Sequence, residues 1–67
     1  MMTHKIIRLP EVKQMTGLKR SSIYQKMKIG EFPTTIGLSI RSVGWIEDEI
    51  QAWIESKINQ SRIASNQ

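Results

Sequence analysis

The sequence predicts a mainly α-helical fold of three helices with one small β-hairpin. Two short helical patterns come first, separated by three residues that include Gly17. A β-branched segment punctuated by glycine follows, and an apolar stripe at helical period comes last. With 67 residues the chain has room for one domain. We expect residues 1–58 to form this domain and residues 59–67 to be a polar C-terminal tail.

The first helix is predicted between a short apolar segment, residues 6–9, and Gly17. The apolar segment predicts one edge strand, and Pro10 suits the first turn of a helix because its φ is already close to the helical value. The apolar residues that follow this start are spaced by three: Leu9, Val12, Met15 and Leu18. Gly17 is expected to end the helix, since glycine readily takes the left-handed conformation that closes helices.

The second helix is predicted from about Arg20 to Ile29, with Gly30 as its stop. Ile23 and Met27 lie four residues apart, so they share one face and are expected to point inward. The remaining faces are polar and mostly basic: Lys19, Arg20, Ser22, Gln25, Lys26 and Lys28. Two short helices joined by a three-residue turn with a glycine are typical of a helix-turn-helix.

The middle of the chain predicts extended structure. Phe32-Pro33 disfavours a helix, because the residue before a proline is pushed to extended conformations. Residues 34–38 and 40–45 are rich in β-branched side chains and predict two strands joined near Leu38-Ser39. A hairpin in this position would form a wing beside the helix-turn-helix, and Arg41 is its only basic side chain.

The third helix has the strongest pattern. Its apolar residues form one continuous stripe at helical period: Ile46, Ile50, Trp53, Ile54 and Ile58. Three carboxylates, Glu47 to Glu49, crowd its first turn, where the helix dipole favours negative charge. An isolated helix of this size is marginal in water, so we expect the stripe, including Trp53 and the neighbouring Trp45, to pack in the core.

The residue types exclude several kinds of chemistry. The chain has no cysteine, which excludes disulfides and thiolate sites. Its one histidine, His4, is expected to have no partner near the N-terminus. The carboxylates of residues 47–49 point about 100° apart on a helix and cannot converge on one ion. We therefore expect no metal, no cofactor and no enzymatic activity. Because no apolar run approaches the ~20 residues of a membrane span, we also expect no membrane partner and a cytoplasmic location.

The positive charge is concentrated in the N-terminal half. The net charge is +4 and the isoelectric point about 9.9. Residues 1–31 hold seven basic and two acidic side chains, whereas residues 32–67 hold three basic and four acidic ones. Such asymmetry indicates a polyanionic partner, most often nucleic acid, although small domains also carry charge for solubility.

The second helix is the predicted DNA-binding element, because a helix-turn-helix places its second helix in the major groove. Arginine can pair with guanine and glutamine with adenine, while serine, lysine and tyrosine can contact bases or phosphates. The alternative is a solvated basic face. The predicted DNA-binding residues are Lys19, Arg20, Ser21, Ser22, Tyr24, Gln25, Lys26, Lys28 and, on the wing, Arg41.

Six short motifs follow one another over about residues 6–58. They are Arg8-Leu9-Pro10-Glu11-Val12, Thr16-Gly17-Leu18, Arg20-Ser21-Ser22-Ile23-Tyr24, Gly30-Glu31-Phe32-Pro33, Arg41-Ser42-Val43-Gly44-Trp45 and the Glu49-Ile50 to Trp53-Ile54 pattern. In their order and spacing they resemble the AlpA-type phage and prophage regulators, which are small winged helix-turn-helix proteins related to excisionases and to the DNA-binding part of MerR regulators. Relatives usually have Ser or Thr at the position of Lys19, so we expect the second helix to lack that cap, with Ser21 capping a slightly later start. The wing also lacks a lysine that relatives often have.

The resemblance implies sequence-specific binding to double-stranded DNA beside the genes of a mobile element. It implies either a transcriptional regulator or an excisionase of a prophage or genomic island, in the bacterial cytoplasm at the nucleoid. The candidate partners besides DNA are further copies of the chain on DNA, an integrase and RNA polymerase. The alternative function is a protein-interaction module, such as an antirepressor whose basic face binds an acidic protein.

Overall fold

A computed structural model describes residues 4–65 of the chain and the side chains of residues 4–63. Within residues 4–65, three helices and a three-stranded sheet follow one another along the sequence. They are β1 (Ile6–Ile7), α1 (Leu9–Thr16), α2 (Arg20–Lys28), β2 (Ile36–Ser39), β3 (Ser42–Ile46) and α3 (Glu47–Ser65). The sheet is antiparallel with the order β1-β3-β2, so the predicted edge strand and the predicted hairpin share β3. The predicted winged helix-turn-helix with three helices is confirmed.

The ends of α1 follow from local side-chain chemistry. The Glu11 carboxylate accepts a hydrogen bond of 3.0 Å from the backbone N–H of Arg8, just before the helix. At the other end Gly17 has φ 74°, and its N–H donates to the Lys13 carbonyl at 2.8 Å. The Thr16 hydroxyl then accepts from the N–H of Leu18 at 3.2 Å, which fixes the turn leading into α2.

The helix α2 begins at Arg20, directly after Lys19. Within the described residues, the Lys19 side chain makes no capping hydrogen bond, as expected. The expectation that Ser21 caps a later start was wrong, because Ser21 already lies in the first turn of α2. The helix ends as predicted: Gly30 has φ 78° and its N–H donates to the Met27 carbonyl at 3.1 Å.

The hairpin turn lies two residues later than predicted. Ser39 pairs with Ser42, so the turn consists of Ile40 and Arg41 rather than Leu38-Ser39. Tight hairpin turns favour residues with positive φ, but of the described residues only Gly17 and Gly30 have one. A register irregularity lies between Gly37 and Ser39, close to this turn. The two turn positions, Ile40 and Arg41, therefore carry none of the residue types that mark a favoured hairpin turn.

The core lies between the inner face of the sheet and the three helices. Its fully or nearly fully buried side chains are Ile7, Val12, Ile23, Phe32, Trp45 and Ile50. The Trp45 indole N–H donates to the Pro33 carbonyl at 3.1 Å, which ties β3 to the segment after α2. Trp53 is partly buried on α3, packs edge-on against Phe32 and donates to the Glu31 carbonyl at 2.8 Å. Both tryptophans therefore have structural roles.

The helix α3 extends beyond the core. Its predicted stripe is buried at Ile50 and partly buried at Trp53 and Ile54, but Ile58 is 42% exposed. The predicted tail, residues 59–67, is helical as far as Ser65, and Asn66 and Gln67 lie outside the described residues. The division into a domain of residues 1–58 and a tail stays a prediction, and Met1 to Thr3 also lie outside the described residues.

Two side chains at the start of the chain lie close to carboxylates in the first turn of α3. Lys5 Nζ lies 3.8 Å from Glu47 Oε2, and His4 Nδ1 lies 3.8 Å from Asp48 Oδ2. The expectation that His4 has no partner was wrong. No helix within residues 4–65 combines the length and apolar character needed to cross a membrane.

Candidate nucleic-acid interface

The orientation of α2 is fixed by Ile23, which is completely buried. Successive helical residues are rotated by about 100°, so Ser21, Gln25 and Lys28 lie on the side opposite Ile23. All three are exposed. Lys26 and Ser22 lie on one flank of this face and are partly buried, whereas Arg20 and Tyr24 lie on the other flank and are exposed. The predicted residues of α2 therefore divide between an outward side, opposite Ile23, and two flanks on opposite sides of the helix.

Arg20 and Tyr24 are in contact on one flank of α2. The guanidinium carbon of Arg20 lies 5.1 Å from the centre of the Tyr24 ring, a cation–π arrangement. The Tyr24 ring in turn packs edge-on against Trp45, with ring centres 6.3 Å apart. Tyr24 is 38% exposed, so one part of the ring is anchored on the core and the other lies beside Arg20. This contact places the Arg20 guanidinium beside Tyr24, near the first turn of α2.

The start of α2 is positively charged by both its side chains and its backbone. Lys19 and Arg20 are exposed there, and the first turn has no acidic residue. The N-terminal end of a helix carries about half a positive charge from its aligned peptide dipoles, which attracts anions such as phosphate. Within the described structure, the Lys19 side chain does not cap the N–H groups at the start of α2.

The wing holds its one charged residue, Arg41, at the exposed turn between β2 and β3. The acidic cluster of α3 begins at Glu47, beyond the opposite end of β3. At about 3.3 Å per residue, β3 holds Arg41 and Glu47 roughly 20 Å apart. The wing tip therefore presents a cation without a neighbouring carboxylate from its own strands.

Comparison with known proteins gives the family. Residues 5–58 match the family described as "Prophage CP4-57 regulatory protein (AlpA)". The chain belongs to this AlpA family. Two relatives share 39% identity with it. One is the "Uncharacterized protein ORF88" of Enterobacteria phage P4, aligned over 81% of this chain and 61% of the relative. The other is the "DNA-binding transcriptional activator AlpA" of Escherichia coli (strain K12), aligned over 79% of this chain and 84% of the relative.

The AlpA family match confirms the resemblance and spans α1, α2, the wing and the first part of α3. All nine predicted DNA-binding residues, from Lys19 to Arg41, lie inside the matched range. Eight of them belong to α2 or directly precede it, and within α2 they divide between its outward side and its two flanks. Arg41 lies apart from them on the wing.

The sequence reasoning missed two features of this region. The contact between Arg20 and Tyr24 could have been found, since side chains four residues apart on a helix are neighbours. Ile40, the residue before Arg41, was assigned to a strand but lies in the turn and is fully exposed. The exposure of Ile40 was missed because the turn was predicted two residues too early.

Proposed function

We propose that this member of the AlpA family is a sequence-specific DNA-binding regulator of a prophage or genomic island, acting at the nucleoid in the bacterial cytoplasm. The observation that carries the proposal is the orientation of α2. Ile23 is buried, so the polar and basic residues of α2 form a surface outside the core that suits the major groove. The printed name of the relative from E. coli, a DNA-binding transcriptional activator, supports the same function.

The proposed roles follow from position on α2. Ser21 and Gln25 lie at the centre of the surface, where side chains reach the base edges. Arg20 lies near the start of the helix and reads a base, most naturally guanine, because its guanidinium offers two parallel donors. Lys19, Lys26 and Lys28 contact phosphates on either side of the groove. Ser22 and Tyr24 lie on the two flanks of the helix.

The test is binding to the DNA that flanks the protein's own gene, measured by fluorescence anisotropy with a random duplex as competitor. We expect tighter binding to one flanking segment than to the random duplex, and affinity that falls steeply with salt because bound lysines and arginines release counterions. Arg20→Ala should weaken binding to that segment, whereas Arg62→Ala, a matched change on α3, should leave it nearly unchanged. Equal affinity for every duplex would contradict the proposal.

Footprinting then separates the protein-interaction alternative from DNA binding. A protein module that binds an acidic partner protects no DNA segment, and its basic surface gives only weak, uniform binding to duplexes. A regulator protects a defined segment, and excision assays on the same segment separate an excisionase from a transcriptional regulator.

A further inference from the structure

The tip of the wing is an exposed apolar residue beside an arginine. Ile40 is 100% exposed and forms the turn with Arg41. Turns of two residues normally contain Asn, Asp or Gly, which accept positive φ, and an isoleucine there has no advantage for the backbone. Because the Ile40 side chain is fully exposed, it also contributes nothing to the buried core. Folding of the hairpin therefore does not account for an isoleucine at this position.

The charge around Ile40 favours a polyanion as the surface that covers it. Arg41 is the one charged residue in residues 32–46, so the hairpin carries positive charge and no carboxylate. Two neighbouring apolar residues of β2, Ile36 and Leu38, are also substantially exposed. The tip thus combines an apolar side chain with a single cation. Exposure of the apolar side chain to water is unfavourable, and the arginine repels a cationic partner.

The DNA minor groove offers matching chemistry. Proteins that bind this groove often insert an apolar side chain against or between base steps, which kinks the duplex, and place arginine in its narrow, negative interior. The groove is about 6 Å wide, which admits a single side chain from the tip of a hairpin without the strands themselves. An exposed isoleucine followed directly by arginine provides both elements.

We propose that Ile40 is an apolar wedge that the wing inserts into the minor groove beside the segment bound by α2, with Arg41 next to it. This proposal rests on the proposed function, since α2 must first position the wing over DNA. Insertion bends the duplex and favours flexible pyrimidine–purine steps, such as TA, at the position of the wing. The protein then recognises the flanking sequence through its deformability as well as through the bases that α2 contacts.

The test compares the variants Ile40→Ser and Ile63→Ser on two duplexes. One is the footprinted segment, and in the other the pyrimidine–purine dinucleotide step at the position of the wing is changed to GC. Ile63 is a matched control, because it is 75% exposed and lies far along α3. We expect the wild-type protein and Ile63→Ser to bend the DNA and to prefer the flexible step by about tenfold. Ile40→Ser should lose the bend and the preference while keeping the same salt dependence.

A second variant distinguishes the wedge from a charge effect. Arg41→Gln should reduce the slope of log affinity against log salt by about one, whereas Ile40→Ser should not. Thermal unfolding should be unchanged in Ile40→Ser, because its side chain is fully exposed.

The outcomes separate the wedge from the underlying function. If the wild-type protein binds no DNA segment preferentially, the proposed function fails. If it binds one segment but Ile40→Ser keeps the bend and the flanking preference, only the wedge is wrong. The same holds if Ile40→Ser instead removes cooperativity between two sites and leaves single-site bending intact, because Ile40 would then contact a second copy of the chain.

Discussion

At the scale of single residues, the candidate interface on α2 includes side chains that contact one another. An exposed arginine normally samples many rotamers, and fixing them on binding costs free energy. Here Tyr24 contacts Arg20 on one side and Trp45 on the other, so Arg20 is connected to the core through two aromatic rings. We therefore expect the sequence specificity of DNA binding on this flank of α2 to depend on Arg20 and Tyr24 together rather than on Arg20 alone.

Replacing Arg20 with alanine should cost about 1–3 kcal/mol of binding free energy on the preferred segment and relax specificity at one base pair. The reason is the loss of a rigid donor pair aimed at one base edge. Binding isotherms on the preferred duplex and on duplexes with single base-pair changes would measure both effects. Arg62→Ala, on α3 and outside the proposed surface, serves as the control with near-normal affinity. An equal loss on all duplexes would show that Arg20 contacts only phosphate.

The two tryptophans should differ in their contribution to stability. Trp45 is 1% exposed and Trp53 is only partly buried, so Trp45→Ala should cost about 3–5 kcal/mol of unfolding free energy and Trp53→Ala less. In a domain of this size the first change removes most of the stability. Urea unfolding monitored by circular dichroism would rank them, and a larger cost at Trp53 would contradict the packing described above.

At the scale of elements, the helices were predictable and the hairpin was predictable only in part. Regular spacing of apolar residues and the two helix-ending glycines placed α1 and α2 to within a residue. The turn was not predictable, because Ile40 and Arg41 take negative φ and carry no turn preference. The pairing of Ile6 with Ile46 across β1 and β3 left no signal either, since a strand of two residues has no periodicity.

The same distinction applies to the candidate site. Its residues on α2 were predictable because a buried Ile23 and the helical period determine which side chains face outward. Their division into an outward side and two flanks needed the structure, since the sequence does not show how deeply α2 is embedded. The wing tip could not be assigned without the correct turn, which depends on backbone conformation rather than on residue type.

Gly44 is the residue on which the sheet depends most closely. A Cβ atom there would lie 2.6 Å from the Cγ2 of Ile6 and 3.0 Å from the carbonyl oxygen of Ile7, so β1 could not approach β3. Gly44→Ala should therefore destabilise the fold by about 1–3 kcal/mol through overpacking. Gly37→Ala, where an added Cβ has no neighbour within 4 Å, is the matched control on the same hairpin. Equal thermal midpoints for the two variants would contradict the close approach of β1.

At the scale of the whole molecule, one copy presents too small a surface for a unique site in a genome. A single small module buries roughly 600–1,000 Å² on DNA, and one recognition helix contacts few base pairs. Several copies bound side by side would extend the recognised segment. The core already covers Val12, Trp45 and Ile50, and the exposed apolar residues left on α3, Ile58 and Ile63, are separated by more than a turn.

We therefore predict a monomer in solution that binds neighbouring sites cooperatively. On α3, two exposed isoleucines bury far less than the ~800 Å² per partner of a stable interface, and the wing, which holds the other exposed apolar side chains of the hairpin, is proposed above to face DNA. Copies held close together on DNA need only a weak contact. Sedimentation without DNA should give a single species of about 7.7 kDa, the mass of one chain. Gel shifts should show tighter second-site occupancy on two-site duplexes than on one-site duplexes. A stable dimer at micromolar concentration without DNA would contradict this prediction, and Ile58→Ser with Ile63→Ser would then test the end of α3 as the dimer interface.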